Sequence, residues 1–118
     1  MKKLTSFLKC ISDETRLSIL KLLLNNKLCV CQLTAILDKS QSSISQHLAR
    51  FKELDLLLEE RDGKWTYYTI NRAVYDKYLG CLVGLSGQNF NDIGLDDLEE
   101  KLKAVEETDI CDIKNQME

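Results

Sequence analysis

The 118-residue chain contains no proline, one histidine, one tryptophan and only five glycines. Without proline nothing interrupts helices or sets rigid turns, so the chain reads as mostly helical. Long hydrophobic runs are also missing. Runs such as Leu22 to Leu24 are far short of a membrane-spanning helix. The basic start, Met1-Lys2-Lys3, is not followed by the apolar stretch and cleavage site of a signal peptide. These absences predict a cytoplasmic protein with no membrane partner. Five cysteines are an odd number, and a reducing compartment disfavours a disulfide framework. No Cys-x-x-Cys occurs and no His, Lys or Arg is evidently placed to activate a thiol, which argues against a thiol-disulfide enzyme.

What is present suffices for one core: 44% of residues are hydrophobic, while 30% charged residues argue against disorder. The net charge of −3 hides an asymmetry. Residues 1–80 carry 13 Lys/Arg against 9 Asp/Glu, and residues 81–118 carry 3 against 10. A basic first part followed by an acidic tail points to a polyanion as the partner of the first part.

Leu4, Phe7 and Leu8 mark a first helix by their spacing. Ser12-Asp13-Glu14-Thr15 offers caps for a second helix, whose face is Leu17, Leu20, Leu23 and Leu24 and which Asn25-Asn26 ends. Val30, Leu33, Ile36 and Leu37 define a third, and Ile44, Leu48, Phe51 and Leu54 a fourth. The period then changes to two in 56–61 and 65–70, with Asp62-Gly63 as a hairpin turn. A fifth helix presents Val74, Tyr78, Leu82 and Val83, more apolar surface than a small domain covers alone, which predicts a homodimer interface. Ser86 to Gly94 reads as a loop, followed by an acidic amphipathic helix and a tail. The expected fold is mainly α with a small β-hairpin, a homodimeric winged helix-turn-helix. Residues 1–85 form the DNA-binding and dimerisation domain, and 86–118 an acidic extension.

In such a fold the fourth helix enters the major groove with its N-terminal residues at base edges. Those residues are Gln41, Ser42, Ser43, Ser45, Gln46 and His47, all able to hydrogen-bond. No carboxylate occurs from Lys39 to Lys52, so nothing there repels phosphates. Arg50, near the helix end, and Lys64, at the hairpin tip, are candidate phosphate contacts. Trp65, Tyr67 and Tyr68 are expected to pack the hairpin against the helices.

Cys29-Val30-Cys31 falls in the first turn of the third helix, where the positive end of the dipole favours thiolate. Residues two apart on a helix point to nearly opposite sides, so both sulfurs grip one ion only if that turn distorts. Such a distortion strains the helix directly preceding the recognition helix.

The stretch from Ile11 to Asn71 resembles the ArsR/SmtB family of metal- and metalloid-responsive repressors. The resemblance is carried by residues 13–20 (DETRLSIL), 28–33 (LCVCQL), 40–48 (SQSSISQHL) and 62–65 (DGKW). It implies a homodimer that blocks a promoter through double-stranded operator DNA until a soft ion binds the thiolates of Cys29 and Cys31. Two positions depart from the arsenic branch: Thr34 stands where a third Cys is frequent, and Gln46 where a basic residue precedes the recognition-helix His. Likeness to the cadmium/lead branch, which brings N-terminal thiols across the dimer, makes Cys10 the candidate third ligand. Cys81 and Cys111 are the other sources. The zinc or nickel site that some members build with His on the dimerisation helix cannot form, because His47 is the only histidine.

A sulfur-only donor set favours As(III), Sb(III), Cd(II) or Pb(II) over harder ions, and three sulfurs without a fourth suit As(III). The sequence therefore predicts a non-enzymatic repressor with no organic cofactor, released from DNA by arsenite. The alternatives are a cadmium- or lead-responsive repressor, a thiol-redox or persulfide sensor of the same fold, and a passive soft-metal buffer.

Overall fold

The computed structural model describes residues 2–87 and 95–107. The chain divides into two compact units, Lys2–Gly80 and the described residues from Cys81 onward. The elements are α1 (Lys2–Ile11), α2 (Glu14–Asn25), β1 (Leu28–Cys29), α3 (Val30–Leu37), α4 (Gln41–Glu53), β2 (Leu57–Asp62), β3 (Trp65–Ile70), α5 (Arg72–Val83) and α6 (Asp96–Glu107), with a short 3₁₀ turn at Gly84–Ser86.

Helices α2, α3 and α4 start at capping residues. Asp13 stands in extended conformation before α2, and its side chain accepts the Arg16 backbone N–H at 3.0 Å. That bond favours the ionised form and holds the Asp13 carboxyl below its ordinary pKa. The turn between α3 and α4 lacks glycine, and Asp38 takes over its work with a left-handed φ of 52°. The end of α4 is a Schellman motif. Leu56 N–H bonds Phe51 C=O and Asp55 N–H bonds Lys52 C=O, with Asp55 left-handed at φ 57°. The residues at the two positions this motif brings together, Phe51 and Leu56, are both fully buried.

The core of this unit is drawn from Leu4 and Phe7 of α1, Ile19, Leu20 and Leu23 of α2, Leu33 of α3, Ile44, Leu48 and Phe51 of α4, and Ile70 of β3. Two expected core positions face outward instead. Leu17 and Ile36 are 50% and 54% exposed and line an open apolar groove together with Leu20 and Leu37. The buried stripe of α2 runs through Ile19 rather than Leu17, one position round from the expected face.

The sheet has three strands in the order β1-β3-β2, not two. The hairpin pairs Leu57 with Ile70 through Asp62 with Trp65, leaving Gly63-Lys64 as the two central turn residues. Gly63 has φ 64° while Lys64 does not adopt positive φ, which is the type II′ pattern of a Gly-first turn. The extra strand, β1, lays Leu28 against Tyr68 and Cys29 against Tyr67. Trp65 is not packed against the helices as expected. Its register at the wing tip leaves it 45% exposed, with the Lys64 ammonium 5.6 Å from its ring centroid. Among the described residues no helix is long and apolar enough to cross a membrane.

The Asp13 cap has a measurable signature. A group whose pKa is lowered on folding adds stability above its unfolded pKa and loses it as pH falls through the folded value. Asp13→Ala therefore lowers the urea midpoint at neutral pH, and its difference from wild type shrinks on acidification. Asp13→Asn retains the cap and most of the stability, and does not show that pH dependence.

Candidate nucleic-acid interface and thiol sites

The first turn of α4 is built to present polar groups. The Ser40 hydroxyl accepts the Ser43 N–H at 3.1 Å and caps the helix, so Ser40 itself is structural. Gln41, Ser42, Ser45 and Gln46 are exposed, whereas Ser43 is half-buried. No acidic residue stands in this turn, so the positive end of the helix dipole is uncompensated. At the other end Lys52 pairs with Glu59 of β2, which raises the Lys52 pKa. Arg50 lies 3.9 Å from Glu53 with most of its side chain exposed, a pair too open to hold the guanidinium from a phosphate.

His47 is half-buried, and its environment contains a residue that the periodicity does not single out. The Arg16 side chain donates from Nε to the Cys10 carbonyl oxygen at 2.6 Å and from Nη1 to His47 Nδ1 at 3.1 Å. One guanidinium thus ties the last turn of α1 to the middle of α4. The signal available beforehand was position: Arg16 lies in the first turn of α2, two places after its first residue, Glu14, in the stretch carrying the family resemblance.

The cysteine pair straddles a helix start. Cys29 belongs to β1 and serves as N-cap of α3, outside the first turn in which it was expected. Its backbone N–H donates to Gln32 Oε1 at 2.9 Å, closing a capping box. Cys31 lies in the first turn. Cys29 is buried and Cys31 exposed. The Thr34 hydroxyl donates to the Cys31 carbonyl at 2.7 Å, so the residue standing in place of a third sulfur is engaged with the backbone.

Cys10 is buried on α1 beside a polar cleft of about 340 Å³ lined by Lys9, Arg16, Arg50 and Glu53. Burial pushes its thiol pKa up, against the opposing pull of the Arg16 guanidinium. Among the described residues no three His, Cys, Asp or Glu side chains are grouped as a metal site, so one protomer does not gather Cys10, Cys29 and Cys31. Cys81 is half-buried on α5, and Cys111 lies outside the described residues.

The four α5 residues expected at a dimer interface differ in availability. Tyr78 is buried within its own chain, its ring stacked on Phe7 with centroids 4.5 Å apart. Val74 and Leu82 are half-buried, and Val83 is 73% exposed.

Residues 13–57 match the bacterial regulatory protein, arsR family. The arsenical resistance operon repressor of Bacillus subtilis (strain 168) is 36% identical over 93 residues, 75% of this chain and 89% of that protein. The repressor of the same name from Escherichia coli (strain K12) is 48% identical over 64 residues, 53% of this chain. The chain spans about half the length of several relatives it matches, 55% of the E. coli protein. Among solved structures, reduced HlyU from Vibrio cholerae N16961 superposes with a TM-score of 0.59 at 31% identity, covering 75% of this chain and 92% of that one.

The two burial states of the pair predict an order of thiol reactivity. Brief iodoacetamide treatment at neutral pH alkylates Cys31 first, with Cys29 and Cys10 following only as the fold opens. Peptide mass spectrometry reads the order directly, and early labelling of Cys10 contradicts the burial described.

Proposed function

Starting from the chain's membership of the ArsR family of bacterial regulatory proteins, we propose that it is a cytoplasmic transcriptional repressor that binds operator DNA as a homodimer and is released by a thiophilic ion, arsenite in the first instance. The observation that carries the reading is the placement of the Cys29-Cys31 pair across the N-terminus of α3, the helix immediately preceding the DNA-reading α4. Gln41, Ser42, Ser43, Ser45, Gln46 and His47 read base edges, while Arg50 and Lys64 contact phosphates. The dimer forms through α5, with the exposed Val83 and the half-buried Val74 and Leu82 supplying apolar contact. A two-fold dimer sets the recognition helices one helical turn of DNA apart, about 34 Å.

The donor types suit a soft three-coordinate ion: Cys29 and Cys31 from α3, and Cys10 supplied across the dimer. Sb(III), Cd(II) and Pb(II) share the preference for sulfur, and Cd(II) calls for a fourth ligand. Cys29 is buried at the cap and Cys31 exposed in the first turn of α3, and in this reading both sulfurs reach one ion by unwinding that turn. The ion then favours the DNA-free conformation, and operator DNA weakens ion binding by the same factor. Couplings of this kind amount to about 1–3 kcal/mol, which suffices for a fivefold to 150-fold change in affinity.

Serine substitution separates ligand from scaffold, because Ser keeps the shape and is itself a good N-cap at position 29. Cys29→Ser and Cys31→Ser bind operator and ignore arsenite, Cys10→Ser loses its response, and Cys81→Ser and Cys111→Ser respond normally. In the same titrations Arg50→Ala and Lys64→Ala each reduce the salt slope by about one unit. Full arsenite response in both Cys29→Ser and Cys31→Ser contradicts the reading. Release by peroxide or polysulfide but not arsenite assigns the input to thiol chemistry instead.

A further inference from the structure

We propose that Arg16 is a positioning residue for DNA recognition: it holds His47 in the Nε2–H tautomer, so that His47 meets the operator as a hydrogen-bond donor. The inference rests on the reading of α4 as the recognition helix and deepens it.

A guanidinium carries five N–H donors and no acceptor. At 3.1 Å from Arg16 Nη1, His47 Nδ1 can only accept, so in the neutral ring the proton sits on Nε2. Arg16 is held through both its backbone and its fork. Its backbone N–H bonds the Asp13 carboxylate at 3.0 Å, its Nε bonds the Cys10 carbonyl at 2.6 Å, and Nη1 is left to face the imidazole. The carboxylate at Asp13 and the cleft residues Arg50 and Glu53 complete the charged surroundings of Arg16 and His47. A lysine cannot reproduce this arrangement, because its single ammonium does not span two acceptors in a planar fork.

The chemical consequence is selective. An Nε2–H donor suits guanine N7 and O6, adenine N7, thymine O4 and phosphate oxygens, and it does not suit the cytosine amino group. An imidazole free to exchange tautomers accepts either class. Arg16 therefore narrows what His47 reads without touching DNA itself.

The single histidine makes the test direct, since one imidazole gives one set of ring nitrogen signals. Long-range ¹H–¹⁵N spectra of the full chain, at about pH 8 where an ordinary imidazole is neutral, report the tautomer. Wild type shows Nε2–H alone, and Arg16→Met shows exchange between both forms. Operator affinity is then measured by anisotropy on a duplex selected by the wild-type chain from a random pool. Arg16→Met and His47→Ala each weaken binding about tenfold, and Arg16→Met adds nothing in the His47→Ala background. His47→Gln, whose amide falls near the Nε2 position, recovers most of the loss.

An Nδ1–H tautomer in wild type, or an imidazole spectrum unchanged by Arg16→Met, overturns the proposal while leaving the repressor reading intact. Equal losses from Arg16→Met with and without His47 overturn it too, since Arg16 then acts by packing or by its own phosphate contact. An operator that neither substitution weakens refutes the DNA-facing role of His47 and with it the proposal.

Discussion

The recognition helix is only as well placed as the apolar seam beneath it. Ile44, Leu48 and Phe51 recur at spacings of four and three, and all are buried, two of them completely. They fix the rotation of α4 and turn Gln41, Ser42, Ser45 and Gln46 outward together. Leu33 anchors α3 to the same core, and the left-handed Asp38 sets the angle at which the chain passes between the two helices. A truncation such as Phe51→Ala removes about 3–5 kcal/mol from this seam, comparable with the whole stability of many small domains. The polar face is thus a consequence of the buried one.

The same seam connects the start of α3, where the thiols lie, to α4. Cys29 is at once the N-cap of α3 and a residue of β1 paired with Tyr67 of the wing strand. Anything that withdraws its sulfur disturbs the helix start and the wing strand together. Gln32 reinforces that start by accepting the Cys29 N–H, so the cap stays formed until both partners are displaced. Separately, Arg16 links the Cys10 carbonyl to His47 of α4. The candidate ligand positions are therefore attached to α4 by two separate routes, one through packing and one through hydrogen bonds.

Helices and hairpin were legible because period and caps agree: Asp13 caps α2 within the polar run that predicts it, and Gly63 turns the hairpin. What escaped the sequence depended on tertiary pairing. The two residues of β1 carry no period of their own and become a strand only because β3 is beside them. Leu17 and Ile36 satisfy the helical spacing yet face an open groove, since periodicity specifies a stripe and not what covers it. Trp65 was misjudged for the same reason, as aromatic content does not show which end of a hairpin is free. Arg16 was hidden in a charged first turn, where solvated arginines are common. Its role follows only from the approach of α1 and α4, 31 residues away from His47 in sequence. The thiols divide similarly: the place of the pair at the start of α3 is legible, whereas the position of Cys29 ahead of the helix and the burial of Cys10 beside a guanidinium are not.

In the proposed mechanism an ion grips the pair by opening the first turn of α3. Hydrogen exchange on the full chain, with and without arsenite, tests it at the amides of Thr34 and Ala35, which bond the first-turn carbonyls in a regular helix. The account predicts that arsenite speeds exchange at these two amides while leaving the α2 core around Leu20 and Leu23 protected. If arsenite releases the operator with Thr34 and Ala35 as protected as before, or more so, the helix start is not the trigger and the account is wrong.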